Sequence, residues 1–375
     1  MAVQSLAIFT ICSNNYVPMA KVLMESVHRH HPNARMYLCL ADRPVSEPDF
    51  YPAACEVVPA AELQIPEFTK LAFRYDVMEF NTAVKPSMIR HLLGRGHDAV
   101  LYFDPDIELF APLDSIVRKL DEGASFLLTP HLLRPAEGDS DPDDVGIMRA
   151  GIYNLGFLGV GATVEVPAIL DWWARRLRYQ CVSDQANGLF VDQKFVDLVP
   201  GFADKVAILR DPCYNVAYWN LAQRQLTNSA DGWLVDGSGL GFFHFSGFDP
   251  KNQDRLSKYT SAFQGDAIVP ALRALMQHYA SRVMANGYRH ALEIPYAYGT
   301  FASGARIEAV MRREFRARHE HEPGDPFARL EAEALRPDAE PASSEELVRR
   351  IEDIHASTSW RVTRPLRAVK QLLSR

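Results

Sequence analysis

The chain is expected to fold as an α/β protein on a mostly parallel, Rossmann-like mixed sheet with a helical appendage on its C-terminal side. Three features carry that expectation. Its first forty or so residues read as strand, helix and strand; a fully apolar run further on stops at two carboxylates one residue apart; and from about Asp266 the apolar pattern takes the helical period.

Leu6 to Cys12 is apolar, β-branched and aromatic, the signature of a buried strand. After Ser13-Asn-Asn-Tyr16 a helix begins near Pro18, with Met19, Leu23 and Val27 on one face, and Met36 to Leu40 supplies the next strand. This βαβ unit implies a right-handed crossover. The first loop has no Gly-x-Gly-x-x-Gly, which argues against a dinucleotide cradle. It offers instead Thr10, Asn14, Asn15 and Tyr16, amides and hydroxyls for a base or ribose and an aromatic face for stacking. Helix capping is the competing role for Ser13 and Asn14.

Phe80 to Leu93 reads as one helix leading into the central strand, with Lys85 near its start beside Pro86. An exposed lysine is ordinarily just solvated; one placed here could reach a phosphate or a sugar. Ala99 to Phe103 is the central buried strand, and it ends at Asp104 and Asp106. Pro105 fixes its own φ and keeps the chain before it extended, so both acids are presented by a stiff turn. Two hard oxygen ligands at the carboxyl end of a strand suit a divalent cation that carries a diphosphate. Gly138-Asp-Ser-Asp-Pro-Asp-Asp144 repeats the spacing, but no apolar strand leads into it, and it reads as a mobile acidic loop.

A helix over Asp114 to Leu120 and a strand over Ser125 to Thr129 come next. Gly151 to Val160 is strand-like and interrupted by glycines, which let other groups approach the backbone closely. Asn154 is its strongly polar side chain and must find partners in the protein or in a ligand. In the helix from Val166 to about Tyr179, Trp172 and Trp173 read as core. Asp192-Gln193 opens a short helix, where capping competes with a functional role for Asp192. After a strand over Lys205 to Leu209, Tyr214 to Asn220 forms an aromatic and amide patch suited to sugar faces. In Gly241-Phe-Phe-His-Phe-Ser-Gly-Phe-Asp-Pro-Lys251, His244 ends a strand. Gly247 then permits close approach and Lys251 could meet a phosphate, an arrangement that invites a third metal ligand.

With 375 residues, 47% hydrophobic and 23% charged, the chain can bury one large core or two modest ones. A formal net charge of -7 argues against a general nucleic-acid binder. Five scattered cysteines with no metal-finger spacing suggest free thiols in a reducing compartment. With no basic leader and no apolar segment of membrane-spanning length, a soluble cytoplasmic protein is expected.

Four stretches in order, Phe103-Asp-Pro-Asp-Ile, Tyr153-Asn-Leu-Gly156, Asp192-Gln193 and His244-Phe-Ser-Gly-Phe-Asp-Pro-Lys251, resemble the family 8 glycosyltransferases, the glycogenin-like and lipopolysaccharide galactosyltransferase-like enzymes. The resemblance spans roughly residues 5 to 255. It implies a GT-A nucleotide-diphospho-sugar transferase fold and a retaining, metal-dependent transfer from a nucleotide sugar, a UDP-sugar by family expectation. It also implies that Asp104, Asp106 and His244 hold Mn²⁺ or Mg²⁺, with Lys251 and Gly247 at the phosphates. Thr10, Asn15 and Tyr16 would line the nucleoside end, and Lys85, Asn154, Asp192 and Gln193 the transferred sugar. Asp192 is open as nucleophile or electrostatic stabiliser. The last motif departs from the family by one extra residue between its glycine and lysine, and by Lys251-Asn-Gln in place of Lys-Pro-Trp.

The expected organisation is a catalytic domain over 1–265, a helical acceptor-side appendage over 266–321, a Pro, Glu and Ala-rich linker over 322–344 and a basic helical tail over 345–375. Within the appendage, helices are read over Ile268 to Met284 and from Ile307 to about Arg318. The tail opens with a capping box at Ser343-Ser-Glu-Glu346 and then carries apolar residues at helical spacing among arginines. It resembles the endings of many bacterial polysaccharide glycosyltransferases, which implies a glycan or lipid-linked acceptor. Peripheral attachment of residues 357–375 to an anionic membrane surface is one expectation, and docking on protein is the other. Two further functions stand beside the transferase. One is a haloacid-dehalogenase-like phosphatase, whose nucleophile loop is also strand-Asp-x-Asp; the other is a non-catalytic glycan-binding or assembly protein.

Overall fold

The computed structural model describes residues 3–138, 141–230 and 232–334. The chain divides into two compact units, Met1–Glu322 and Pro323–Arg375.

The first unit is built on a seven-stranded sheet. Its strands are β1 (Leu6–Cys12), β2 (Arg35–Leu40), β3 (Cys55–Pro59), β4 (Ala99–Phe103), β6 (Phe126–Pro130), β7 (Tyr153–Gly161) and β8 (Val206–Ile208), in the spatial order β8-β6-β7-β4-β1-β2-β3. β1 pairs in parallel with β2 and β4, β2 with β3, and β8 with β6; β7 runs antiparallel to both β4 and β6. The sheet is therefore mostly parallel, as the strand and helix alternation predicts, and mixed through the reversed β7. β4 and β7 are buried along their whole length, which explains why their sequences lack a polar face.

Because β7 is reversed, its first residues lie at the carboxyl ends of β4, β1 and β6. Four chain segments distant in sequence thus reach one edge of the sheet. A short strand β5 (Ile107–Leu109) pairs antiparallel with β9 (Phe242–His244), and that register sets His244 opposite Ile107, next to Asp106. The predicted helix at 268–284 is Pro270–Ala285. Its Leu272, Leu275, Met276 and Tyr279 share a core cluster with Phe243, Phe245 and Phe248, and Tyr279 stacks on Phe245 with ring centroids 3.7 Å apart.

Two expectations are corrected. Phe80 to Leu93 is not one helix but parts of two, Val77–Ala83 and Lys85–Gly94, broken at Val84. The ring of Pro86 has no N–H to give and collides with the carbonyl four residues back, so the helix restarts with the proline in its first turn. The acidic run is not loop throughout: Asp143 caps a helix over Asp144–Ala150 by accepting the Gly146 N–H at 2.7 Å, and that helix buries none of its residues. Asp139 and Ser140 of that run lie outside the described residues. Within the stretch read as a linker, Pro326–Ala334 is helical in the second unit, a proline-initiated run of good helix formers. Residues 335–344 of that stretch and the whole basic tail, with its membrane expectation, lie outside the described residues.

All five cysteines are free thiols. No helix among the described residues is long and apolar enough to cross a membrane.

Candidate functional site

Asp104 leaves β4 with its N–H bonded to the Gly156 carbonyl of β7 at 2.7 Å, and the tight turn through Pro105 closes with the Ile107 N–H on the Asp104 carbonyl at 3.1 Å. The Phe245 N–H then binds the Asp106 carbonyl at 2.8 Å. Both acids are thus held by backbone on either side. His244 Nε2 stands 3.1 Å from Asp106 Oδ1 and 3.6 Å from Asp104 Oδ2, and one ligand atom from each of the three residues lies within 4.8 Å of the others.

The His244 imidazole is buried. Burial disfavours its cation, but the Asp106 and Asp104 carboxylates outweigh it and raise its pKa. Although 30% of the Asp104 side chain is open to the cleft, its own pKa is raised, chiefly by burial and against the pull of Lys85 and His244. Two carboxylates and one imidazole fit a hard or borderline divalent ion. The shape fits as well. A Cβ on Gly156 would come within 2.4 Å of His244 Cε1 and 2.8 Å of Asn154 Oδ1, so glycine is needed for both side chains to approach the strand.

Two adjoining cavities open on this triad. The smaller, about 330 Å³, is lined by Ser13, Asn15, Tyr16, Gly247 and Lys258 together with Asp104, Asp106 and His244. The larger, about 750 Å³, takes in Lys85, Asn154, Asp192 and Gln193, and its far wall is aromatic with Tyr218, Trp219 and Tyr259.

The polar floor of the larger cavity is held by a connected set of hydrogen bonds and one buried ion pair. Lys85, the first residue of its helix, is 1% exposed; its Nζ lies 2.5 Å from Asp192 Oδ2, donates to the Leu155 carbonyl at 3.0 Å and sits 4.1 Å from the centroid of Tyr102. The Asp192 pKa is raised by burial, with Lys85 opposing. Asp192 makes no side-chain cap bond, which removes its competing role, and Trp173 fixes its backbone by donating Nε1–H to its carbonyl at 3.2 Å. Asn154 Oδ1 accepts from the Gly156 N–H at 3.0 Å and from Asn215 Nδ2 at 2.9 Å, which fixes the amide orientation. Its Nδ2 therefore faces Gln193 Oε1 at 3.4 Å and His131 Nε2 at 3.2 Å. His131 must accept there, so it is neutral, in keeping with burial pushing its pKa down to about 4. Gln193 accepts from the Leu155 N–H at 3.0 Å and donates to the Ala150 carbonyl at 2.9 Å, joining the site to the capped helix of the acidic run.

Of the predicted site residues, Asp104, Asp106, His244, Lys85, Asn154, Asp192, Gln193, Asn15, Tyr16 and Gly247 line these cavities. Two do not. Thr10 is fully buried in β1, two residues short of its end, and Ser13 lines the smaller cavity instead. Lys251 sits on an exposed turn fixed by its N–H on Asp249 Oδ1 at 3.0 Å, with Nζ 6.0 Å from the Tyr288 ring centroid. The cation on the wall is Lys258, whose N–H bonds the Gly247 carbonyl at 3.0 Å and folds this loop back onto the glycine. No sequence signal marked Lys258. Tyr102 and His131 carried a faint one: each is a polar group at the carboxyl end of an apolar strand.

Of the predicted sugar-stacking patch, Tyr218 and Trp219 face the cavity, whereas Asn215 and Asn220 are buried and hold other polar groups. Trp173 is core as expected, while Trp172 is only partly buried, edge-on to Phe202 at 5.0 Å.

No family model matches the chain. Among curated proteins it is 27% identical to YfnF of Bacillus subtilis (strain 168), an uncharacterized protein, over 51% of this chain and 64% of that one. It is 26% identical to YfnD of the same organism, also uncharacterized, over 64% of this chain and 76% of that one. Among solved structures it resembles the galactosyltransferase LgtC in complex with donor and acceptor sugar analogues, at 13% identity and a TM-score of 0.43 over 74% of this chain and 95% of that one. It also resembles the glycosyltransferase GlyE of Streptococcus pneumoniae TIGR4, at 14% identity and a TM-score of 0.43 over 79% and 67%. Likenesses this distant transfer no residue role, and the roles that follow rest on the geometry above.

Proposed function

We propose that this protein is a metal-dependent, retaining glycosyltransferase of the GT-A type. It moves a sugar from a nucleotide sugar, a UDP-sugar on the sequence resemblance, to a glycan or lipid-linked saccharide in bacterial surface polysaccharide synthesis. The observation that carries the reading is the convergence of Asp104, Asp106 and His244 between two cavities, one rimmed by amides, an aromatic ring and a lysine, the other floored by a buried ion pair.

Asp104, Asp106 and His244 would hold Mn²⁺ or Mg²⁺, and the chemistry supplied there is Lewis-acid stabilisation of charge developing on the departing diphosphate. Asn15, Tyr16 and Ser13 present a stacking face and hydrogen-bonding groups to the nucleoside, and Lys258 adds a point charge beside the phosphates. Lys85, Asn154, Asp192 and Gln193 surround the transferred sugar. Asp192 is 2% exposed and already engaged by the Lys85 ammonium, which makes it a fixed negative charge facing an oxocarbenium-like centre rather than an available nucleophile. That favours attack by the acceptor on the face the diphosphate leaves, with the phosphate taking its proton. Tyr218, Trp219 and Tyr259 offer the acceptor ring faces. The phosphatase alternative loses support because, among the described residues, the second acidic run gives the cavity Pro142 but no carboxylate, and the helix after it adds only Gly146, Ile147 and Ala150.

Calorimetric titration with a panel of nucleoside diphosphates and nucleotide sugars, each with Mn²⁺ and with EDTA, tests this. Binding of one nucleotide class only with the metal is expected, and Asp106→Asn should abolish both metal-dependent binding and transfer while leaving the fold intact. Full activity of that variant in EDTA would sink the metal assignment. Absence of nucleotide binding in every condition would return the weight to the phosphatase or to a silent scaffold.

A further inference from the structure

We propose that Tyr102 is a positioning residue for Asp104: its hydroxyl takes one carboxylate oxygen so that the other is presented to the bound ion. The inference rests on the metal-dependent reading above.

Tyr102 and Asp104 are two residues apart at the end of β4, so their side chains leave the chain on the same side. The tyrosine hydroxyl donates to Asp104 Oδ1. It is the other oxygen, Oδ2, that stands 3.6 Å from His244 Nε2. A neutral phenol can donate to a carboxylate but cannot displace it from a cation, so the bond divides the two oxygens between orientation and ligation.

The ring is well placed to do this. Tyr102 is 3% exposed, in register with Leu158 of β7 on one side and Phe9 of β1 on the other, and its ring packs on Phe9 at 5.0 Å between centroids. Rigid central strands hold a side chain more closely than loops do. The ring also carries the Lys85 ammonium 4.1 Å from its centroid, and Lys85 pairs with Asp192. One side chain therefore stands between the ion pair of the sugar cavity and the carboxylate of the metal triad. Phenylalanine at this position keeps the ring, its packing and the cation contact, and removes the hydroxyl alone.

The test is Mn²⁺ titration of the wild type and of Tyr102→Phe, with Mn²⁺ alone and with Mn²⁺ plus UDP, following free Mn²⁺ by electron paramagnetic resonance. Thermal midpoints of both are measured in EDTA. Tyr102→Phe is expected to weaken Mn²⁺ binding about 10-fold, as losing an outer partner of a metal ligand does. Its midpoint in EDTA should stay close to that of the wild type, and turnover should recover at high Mn²⁺. Equal Mn²⁺ affinity in the two proteins overturns the inference, and a lower midpoint with equal affinity assigns the tyrosine to packing. A wild type that takes up no Mn²⁺ under either condition overturns the metal reading itself, and the role of Tyr102 with it.

Discussion

Replacing Gly156 by alanine should disable the site while leaving the sheet standing. An ideal Cβ at this position lies 2.4 Å from His244 Cε1, 2.5 Å from its Nδ1 and 2.8 Å from Asn154 Oδ1. Carbon atoms rest at about 3.5 to 4.0 Å, so the imidazole has to retreat by about 1 Å. Ligand distances at metal sites hold to roughly ±0.2 Å, and the displacement is several times that tolerance. The ring has little room to rotate instead, because Trp219 stands edge-on to it at 5.1 Å and Asp106 lies 3.1 Å from its Nε2. Overpacking of this size costs about 1 to 3 kcal/mol of stability. A 1 Å misplacement at a reacting centre can cost about 100-fold in rate. The expected result is a modest shift in urea unfolding measured in EDTA, with Mn²⁺ affinity down at least 10-fold and sugar transfer down about 100-fold. Gly159→Ala is the control, since its Cβ would meet Leu127 at 2.8 Å, a clash between β7 and β6 that should lower stability without weakening Mn²⁺ binding. Wild-type Mn²⁺ affinity and turnover in Gly156→Ala would refute the cradle.

Two further predictions concern charge. Lys258→Ala should raise the KM for the nucleotide sugar about 10-fold, the worth of one charge-assisted contact, whereas Lys251→Ala should leave it within about twofold; the reverse ranking would restore Lys251 to the phosphates. His131 titrates near 6.5 when unfolded and at about 4 when folded, so between those values the unfolded state binds the extra proton and stability falls as pH falls. From pH 7 to pH 4.5 the loss is on the order of 2 kcal/mol. His131→Gln keeps an acceptor for Asn154 and should be spared that loss in urea unfolding across this range; identical slopes for the two proteins would dismiss the buried neutral imidazole.

The strands were legible because each is a short apolar run closed by a turn signal, and burial on both faces writes itself directly into composition. The cluster of Asp104, Asp106 and His244 was legible in part for the same reason, since β4 runs directly into Asp104 and β9 ends at His244, residues whose chemistry does not belong in a core. What could not be read is whatever depends on register. Lys251 and Lys258 are equivalent as sequence, and only the bond from the Lys258 N–H to Gly247 decides which faces the cleft. Thr10 and Ser13 differ by three positions along the chain, yet one is enclosed within β1 and the other lines the smaller cavity. The helix at Asp144–Ala150 escaped because it buries no residue, so the apolar periodicity that announces a helix is not under selection by a core. Its last turn is held by side chains from another segment, with Lys194 Nζ on the Met148 carbonyl at 2.6 Å and Gln193 on Ala150.

The charge balance of the cleft explains why these parts belong together. Asp104, Asp106 and Asp192 bring three carboxylates to it against two ammoniums, Lys85 buried beside Asp192 and Lys258 on the wall, a surplus of one negative charge that a divalent cation would reverse. Burial already pushes the Asp104 and Asp192 carboxyls upward, the mark of charge held away from water. A diphosphate approaching such a surface by itself would meet like charge. With a dication on the triad the sign at the cavity mouth reverses, and one exposed lysine then suffices to orient the phosphates. Lys85 supports the Asp192 carboxylate on the sugar side of that ion against the burial that raises its pKa, and the same ammonium rests on the ring that holds Asp104. On the proposed function, a nucleotide-sugar donor would be drawn to a positive site and broken beside a negative one, which is the field that cleavage of a sugar–phosphate bond requires.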